Sequence, residues 1–229
     1  TAQIYGNEEE VGTALAASTV ARDEVFVTTK IWTANLAGEL VAPSLKESLR
    51  KLRLEQVDLT LVHWPSPGAD VPVRETMEAL LGARDAGLSA AIGISNFPVA
   101  LMREAIDAVG AANIATNQVE LHPYLQNRGV AAYAREMGIH VTAYMPLAYA
   151  KVMDDPVIRG IATRHEATAA QVALAWLLVK GYAVIPSSTK RANLQGNLQA
   201  TRLRLEPGHM ARIDGLDRGE GLVGPGGLA

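Results

Sequence analysis

Val57-Asp58-Leu59-Thr60-Leu61-Val62-His63-Trp64 is an apolar, β-branched run stopped by Pro65. It reads as a strand buried on both faces, the type found in parallel sheets. Downstream, Val73, Met77, Leu80 and Leu81 recur at helical spacing up to Gly87, and Ala90 to Ser95 is another short apolar run. Strand, helix, strand is a βαβ unit, whose crossover helix brings two strands side by side in parallel.

The alternation continues in both directions. Upstream, Val25 to Trp32 predicts a strand, followed by a helix with Val41, Leu45, Leu49 and Leu52 on one face. Before it, Asn7 looks like the N-cap of a helix running to about Ala17, with Glu8, Glu9 and Glu10 suiting the positive end of its dipole. Downstream, Val99, Met102, Ile106 and Val109 mark a helix ended by Gly110, and Ala115 to Leu121 a strand. Val130, Tyr133 and Met137 give the next helix, His140 to Leu147 the next strand, and Thr168-Ala169-Ala170-Gln171 fits a capping box. Tyr182 to Pro186 is the last strand, Thr189 the expected cap of a helix carrying Leu194 and Leu198, and Pro207 to Leu216 a short final helix. The tail from Arg218 to Ala229 is Gly-rich and reads as irregular.

This pattern yields six strands, each followed by a helix, behind an opening helix. A dinucleotide-binding doubly wound sheet would show G-x-G-x-x-G after its first strand, and the sequence has none. The expectation is an α/β fold, a (β/α)8 TIM barrel, forming one domain over residues 1–229, with the first βα unit and most of the second strand upstream of Thr1.

Composition removes several functional classes. The 229 residues are 48% apolar and 20% charged, enough for a core and too apolar for disorder. No run reaches the ~20 apolar residues a membrane span needs. With 21 Lys and Arg against 24 Asp and Glu scattered along the chain, no basic stripe offers itself to nucleic acid. The absence of Cys rules out disulfides, thiolate catalysis and zinc-thiolate sites and fits a reducing compartment, so the cytoplasm is the expected location. The expected partner is a small molecule. The chain is expected to be monomeric, associating through strand edges only if the first unit is truly absent.

In a parallel barrel, functional groups collect where strands end. Tyr5 lies just before the first helix, Lys30 and His63 end the first two strands, and Asn96, Gln118 and Tyr144 stand at later strand ends. A phenol is a weak acid at neutrality, and a neighbouring ammonium would lower its pKa. Tyr5 with Lys30 would then protonate a carbonyl oxygen that His63 orients. Carbonyl reduction also needs a hydride, which no side chain supplies, so a nicotinamide cofactor is expected. Ile185-Pro186-Ser187-Ser188-Thr189-Lys190-Arg191, with hydroxyls and two cations ahead of a helix, is a candidate phosphate grip.

These residues in this order resemble the aldo-keto reductase family over essentially the whole chain. The phrases that carry the likeness are Thr1-Ala2-Gln3-Ile4-Tyr5-Gly6-Asn7-Glu8, Thr29-Lys30-Ile31-Trp32, Leu61-Val62-His63-Trp64-Pro65, Gly93-Ile94-Ser95-Asn96-Phe97, Asn117-Gln118-Val119-Glu120 and the segment from Ile185 to Arg191. The resemblance implies NADPH-dependent reduction of aldehydes or ketones, 2,5-diketo-D-gluconate and methylglyoxal among them. It implies Tyr5 as general acid, Lys30 lowering its pKa and His63 orienting the carbonyl. Ser95, Asn96 and Gln118 would hold the carboxamide of NADP and Tyr144 would stack on the nicotinamide ring, with Met145, Pro146 and Leu147 also binding the cofactor. Ser188, Thr189, Lys190 and Asn193 would surround the adenosine 2′-phosphate, with Ser187 and Asn197 also binding the cofactor. Trp32 and Trp64, beside His63, would wall the substrate pocket, and no metal is implied.

Two departures qualify the likeness. The family's catalytic aspartate directly precedes the Thr-Ala with which this chain begins, and many relatives carry Lys at Ser187 and Arg at Asn193. A catalytically impaired truncated barrel that only binds nucleotide or associates is therefore the alternative expectation. An aldolase-type barrel with Lys30 as Schiff-base nucleophile is a third. Asn117 and Glu120 read as structural.

Overall fold

A computed structural model describes residues 1–223; the end of the Gly-rich tail, 224–229, lies outside the described residues, and so does that part of the one-domain expectation. In chain order the helices and strands are α1 (Glu8–Ala17), β1 (Thr28–Ile31), α2 (Gly38–Leu52), β2 (Val57–Val62), α3 (Val73–Asp85), β3 (Ser89–Ser95), α4 (Val99–Val109) and β4 (Ile114–Glu120). They continue with α5 (Arg128–Glu136), β5 (His140–Tyr144), α6 (Pro156–Arg164), α7 (Ala169–Val179), β6 (Ala183–Val184), α8 (Arg191–Gln199) and α9 (Pro207–Asp214). Strand neighbours follow chain order, β1-β2-β3-β4-β5-β6, without the reversal that defines a doubly wound sheet.

The chain divides into two compact units. The first comprises Thr1–Asn117 and Tyr133–Ile139. Its parallel strands pair Lys30 with Leu61 and Val62 with Ile94. Val41, Leu45, Leu49 and Leu52 of α2 are buried, as their spacing predicts, and so are Met77 and Leu80 of α3. Two glycines permit close approach here. A Cβ on Gly93 would sit 2.8 Å from both Leu61 Cδ2 and the Thr116 carbonyl oxygen, and one on Gly12 would sit 2.5 Å from the Lys51 carbonyl oxygen. Glu8, at the helix start where a carboxylate suits the dipole, is also buried and accepts a hydrogen bond from Thr29 Oγ1 at 2.6 Å.

The second unit comprises Gln118–Ala132 and the chain from His140 onward. There β5 and β6 pair in parallel, Thr142 against Ala183 and Ala143 against Val184. Helix α7 is apolar on every side and buried from Val172 to Leu177. The capping box forms: Thr168 N donates to Gln171 Oε1 at 2.9 Å and Gln171 N to Thr168 Oγ1 at 3.2 Å. Trp176, fully buried, donates from Nε1 to Asp214 Oδ1 at 2.8 Å, tying α7 to the end of α9.

Several boundaries differ from the sequence reading, the last strand shrinking to Ala183–Val184, and three differences have a visible cause. The first strand starts at Thr28 because the Val27 N–H donates to Asp58 Oδ2 at 2.7 Å, and Phe26 faces solvent. The fifth ends at Tyr144 because Met145 turns to φ 53. Lys190 rather than Thr189 occupies the N-cap of α8, with no side-chain cap bond.

Candidate active site

Tyr5 closes the 3-10 turn Gln3–Tyr5, which Gly6 ends in the left-handed conformation at φ 65. The residue is 45% exposed, open to an incoming molecule. Lys30 lies within β1 and is buried; its Nζ donates to the Thr1 carbonyl at 3.0 Å and to the Tyr5 hydroxyl at 3.5 Å, 4.9 Å from the centre of the Tyr5 ring. His63 follows β2, its N–H donating to the Ile31 carbonyl at 3.1 Å. Its imidazole meets the Tyr5 ring edge-on at 5.5 Å and the Trp32 ring at 5.3 Å. The structure thus gathers Tyr5, Lys30, Trp32 and His63 from three separate segments of the first unit. Trp64, the next residue after His63, is half-buried.

Burial governs the charges. It pushes the Tyr5 phenol above its ordinary value and pulls Lys30 down to about 8. It also lowers His63 to about 4, and the Lys30 charge adds to that effect. The lowered tyrosine expected from sequence is therefore corrected: loss of solvent outweighs the ammonium at 3.5 Å. At neutral pH the phenol keeps its proton, the ammonium is charged and the imidazole is neutral. His63 Nδ1 is buried with no hydrogen-bond partner among the described residues. Such a set can hand a proton to a developing oxyanion, stabilise the phenolate left behind and donate a hydrogen bond to the same oxygen.

Asn96, just after β3, sits at φ 63 and donates from Nδ2 to the His63 carbonyl at 3.0 Å and to Ser95 Oγ at 3.1 Å. Asn117, fully buried, donates to the Phe97 carbonyl at 2.9 Å and accepts from Phe97 N at 3.5 Å. It clamps the loop that holds Asn96 in its strained conformation. Asn117 reads from sequence only as structural, and a buried amide says no more than that some partner must exist.

In the second unit, Gln118 lies in β4 and is buried, while Tyr144 ends β5 and its carbonyl accepts from Leu121 N at 3.2 Å. Met145 to Ala148 is a tight turn carrying Pro146 and Leu147, closed by Ala148 N donating to the Met145 carbonyl at 2.9 Å. After β6, Ser188 Oγ accepts from Lys190 N at 3.1 Å and Asn193 Nδ2 at 3.2 Å. Ser187, Thr189, Lys190 and Arg191 are exposed around the uncapped start of α8, and Asn197 is half-buried further along it. Hydroxyls, two cations and a helix N-terminus make a donor set suited to phosphate. Glu120, read from sequence as structural, ties β4 to the end of the described chain. It accepts from His122 Nε2 at 2.8 Å, from Leu222 N at 2.8 Å and from Val223 N at 3.0 Å. Burial raises its pKa, but these bonds outweigh that and hold the carboxyl below its usual range.

Comparison with known proteins places this geometry. The model of the aldo/keto reductase family matches residues 1–218. The methylglyoxal reductase DkgB of Escherichia coli O157:H7 is 58% identical over 229 residues, covering 100% of this chain and 86% of that protein. The crystal structure of a candidate 2,5-diketo-D-gluconic acid reductase B superposes with a TM-score of 0.94 at 45% identity, over 100% of this chain and 81% of that one. The Bombyx mori aldo-keto reductase AKR2E4, solved in complex with NADP, gives a TM-score of 0.91 at 29% identity, over 97% and 79%. The fold class is α/β, of the (β/α)8 barrel type.

Proposed function

The chain belongs to the aldo/keto reductase family and is an oxidoreductase that reduces carbonyl groups, and we propose that it does so with NADPH on small dicarbonyl compounds of the methylglyoxal or 2,5-diketo-D-gluconate kind. The observation that carries this reading is the Tyr5 hydroxyl 3.5 Å from the buried Lys30 ammonium and edge-on to a neutral His63.

The residues present fit the cofactor. Ser187, Ser188, Thr189, Lys190, Asn193 and Asn197 supply hydroxyls, amides and positive charge suited to the adenosine 2′-phosphate, at the start of α8, where the N-cap residue Lys190 makes no side-chain cap bond. In the first unit Ser95 and Asn96 offer hydroxyl and amide groups suited to a carboxamide; in the second, Gln118 offers an amide and Tyr144 a flat face suited to a ring. When bound, the reduced nicotinamide supplies the hydride that no side chain can give.

The chain's own residues handle the proton. The carbonyl oxygen lies against Tyr5 and accepts its hydroxyl proton as negative charge grows there. Lys30 stabilises the resulting phenolate, which regains its proton from solvent. His63 donates a hydrogen bond to the same oxygen and fixes its direction, while Trp32 and Trp64 present apolar walls. Mixing the chain with NADPH and methylglyoxal tests this reading. One NADPH should be consumed per carbonyl reduced, and NADPH that persists in the presence of folded protein and dicarbonyl would refute it.

The lowered pKa of Lys30 also suits an amine that forms a Schiff base. That reading requires borohydride to trap a covalent adduct with a ketone in the absence of nicotinamide. The hydroxyl of Tyr5 at 3.5 Å favours the proton-relay role.

A further inference from the structure

Gln3 precedes Tyr5 by two residues in the same 3-10 turn, and both ends of its carboxamide are engaged. Its Oε1 accepts from the Trp32 backbone N–H at 2.8 Å and from Asn35 Nδ2 at 3.0 Å, and its Nε2 donates to Ser48 Oγ at 3.3 Å. Trp32 lies just past the end of β1, Asn35 in the 3-10 turn Thr33–Asn35, and Ser48 on the buried face of α2. The Trp32 N–H has passed beyond the β1–β2 ladder, so a side chain must satisfy it. One amide therefore ties the turn that carries Tyr5 to the segment that carries Trp32. The Trp32 indole stands edge-on to His63, and His63 edge-on to Tyr5.

We propose that Gln3 is a positioning residue that fixes the spacing between the proton donor Tyr5 and the Trp32 indole, and so selects small aliphatic carbonyl compounds over bulky aromatic aldehydes. The proposal rests on the carbonyl-reductase reading above. With the amide intact, the segment after β1 is tied to the Tyr5 turn and the indole stands 5.3 Å from the His63 ring. Without it, the segment after β1 loses two hydrogen bonds to the Tyr5 turn and the indole moves outward, widening the gap. Small substrates then lose wall contact and large ones gain room. The proton chemistry of Tyr5 and Lys30 is untouched, because Gln3 bonds to neither.

The test compares Gln3→Met, which keeps shape without hydrogen bonds, with Gln3→Glu, whose carboxylate still accepts from Trp32 and Asn35 while Ser48 turns its hydroxyl to donate. Each is assayed with methylglyoxal and with 2-naphthaldehyde. In Gln3→Met, KM for methylglyoxal should rise about tenfold, the size of a lost wall contact of about 1.4 kcal/mol. Its kcat should stay within about twofold and kcat/KM should swing toward the aromatic aldehyde. Gln3→Glu should restore the wild-type preference. By NMR, exchange of the Trp32 amide proton should quicken about tenfold in Gln3→Met, the loss of its one hydrogen bond, and return to the wild-type rate in Gln3→Glu, a readout that needs no turnover. An unchanged substrate preference in Gln3→Met, equal losses for both substrates, or an unchanged amide would overturn the proposal. If Gln3→Met does not fold, Asn35→Ala, which removes one donor to Gln3, must move the preference the same way; an unmoved preference overturns the proposal too. A wild-type chain inert toward both carbonyls would defeat the reductase reading, and the amide exchange would still decide the role of Gln3.

Discussion

Replacing Lys30 by Met should make the protein more stable at neutral pH while removing its activity. Burial lowers Lys30 from 10.5 to about 8, so at pH 7 the folded state holds an ammonium that water would solvate better. That difference, at 1.36 kcal/mol per tenfold, corresponds to about 3 kcal/mol of folding free energy. Methionine removes the charge and keeps the apolar stem, losing only the bonds to the Thr1 carbonyl and the Tyr5 hydroxyl, worth about 1 kcal/mol each at most. The sign with pH follows directly. Between about 8 and 10.5 the unfolded chain binds a proton at Lys30 that the folded chain has released, so wild-type stability rises with pH through that window. Below it the full cost is present. Tyr5, whose folded pKa is raised, works the other way: its unfolded form ionises first, so its contribution falls only above pH 10. Urea unfolding of wild type and Lys30→Met at pH 7 and pH 9.5 isolates the lysine. The wild type should gain on the variant by about 2 kcal/mol between those two values. Parallel pH profiles for the two proteins would show that burial does not set the Lys30 charge state and would undo the reasoning. The same ionisation should also appear in catalysis, as a fall in reduction rate above pH 8 when the ammonium that stabilises the phenolate is lost.

Lys190→Ala should weaken NADPH roughly tenfold to a hundredfold and leave NADH nearly unchanged, the size of a lost charge-assisted contact to the 2′-phosphate, measured by tryptophan fluorescence titration with each nucleotide. Gly93→Ala drives a Cβ to 2.8 Å from the Thr116 carbonyl oxygen, and calorimetry should record about 1–3 kcal/mol of destabilisation, with no loss meaning that β3 has room the structure does not show. Thr168→Ala removes the hydroxyl that accepts from Gln171 N, and a drop of about 1 kcal/mol, seen as a few degrees in Tm, is expected at the head of α7.

The strands and helices were legible because their signals are local. Val57 to Val62 form a strand inside the predicted run, and Val41, Leu45, Leu49 and Leu52 face the core as their spacing requires. Catalytic candidates were legible for a related reason: a lysine and a histidine in apolar strands are costly enough to mark themselves. Partners were less so. Glu8 follows Asn7 at a helix start, where a carboxylate suits the dipole, and only the fold brings Thr29 Oγ1 to it across the chain. Gln3 looks like an ordinary polar residue, since its three partners lie 29, 32 and 45 positions away. The direction of the Tyr5 pKa was misread because the sequence shows a nearby cation but not how much water the fold removes from the phenol.

Tyr5→Phe tests the central claim most directly. Phenylalanine keeps the ring against His63 and removes only the hydroxyl 3.5 Å from Lys30. The account expects NADPH binding, followed by tryptophan fluorescence, to stay within about twofold, while methylglyoxal-dependent NADPH oxidation falls by about 10²–10⁴-fold, the contribution of a positioned general acid. Turnover within a few-fold of wild type, with binding intact, would contradict it and move the proton donor elsewhere.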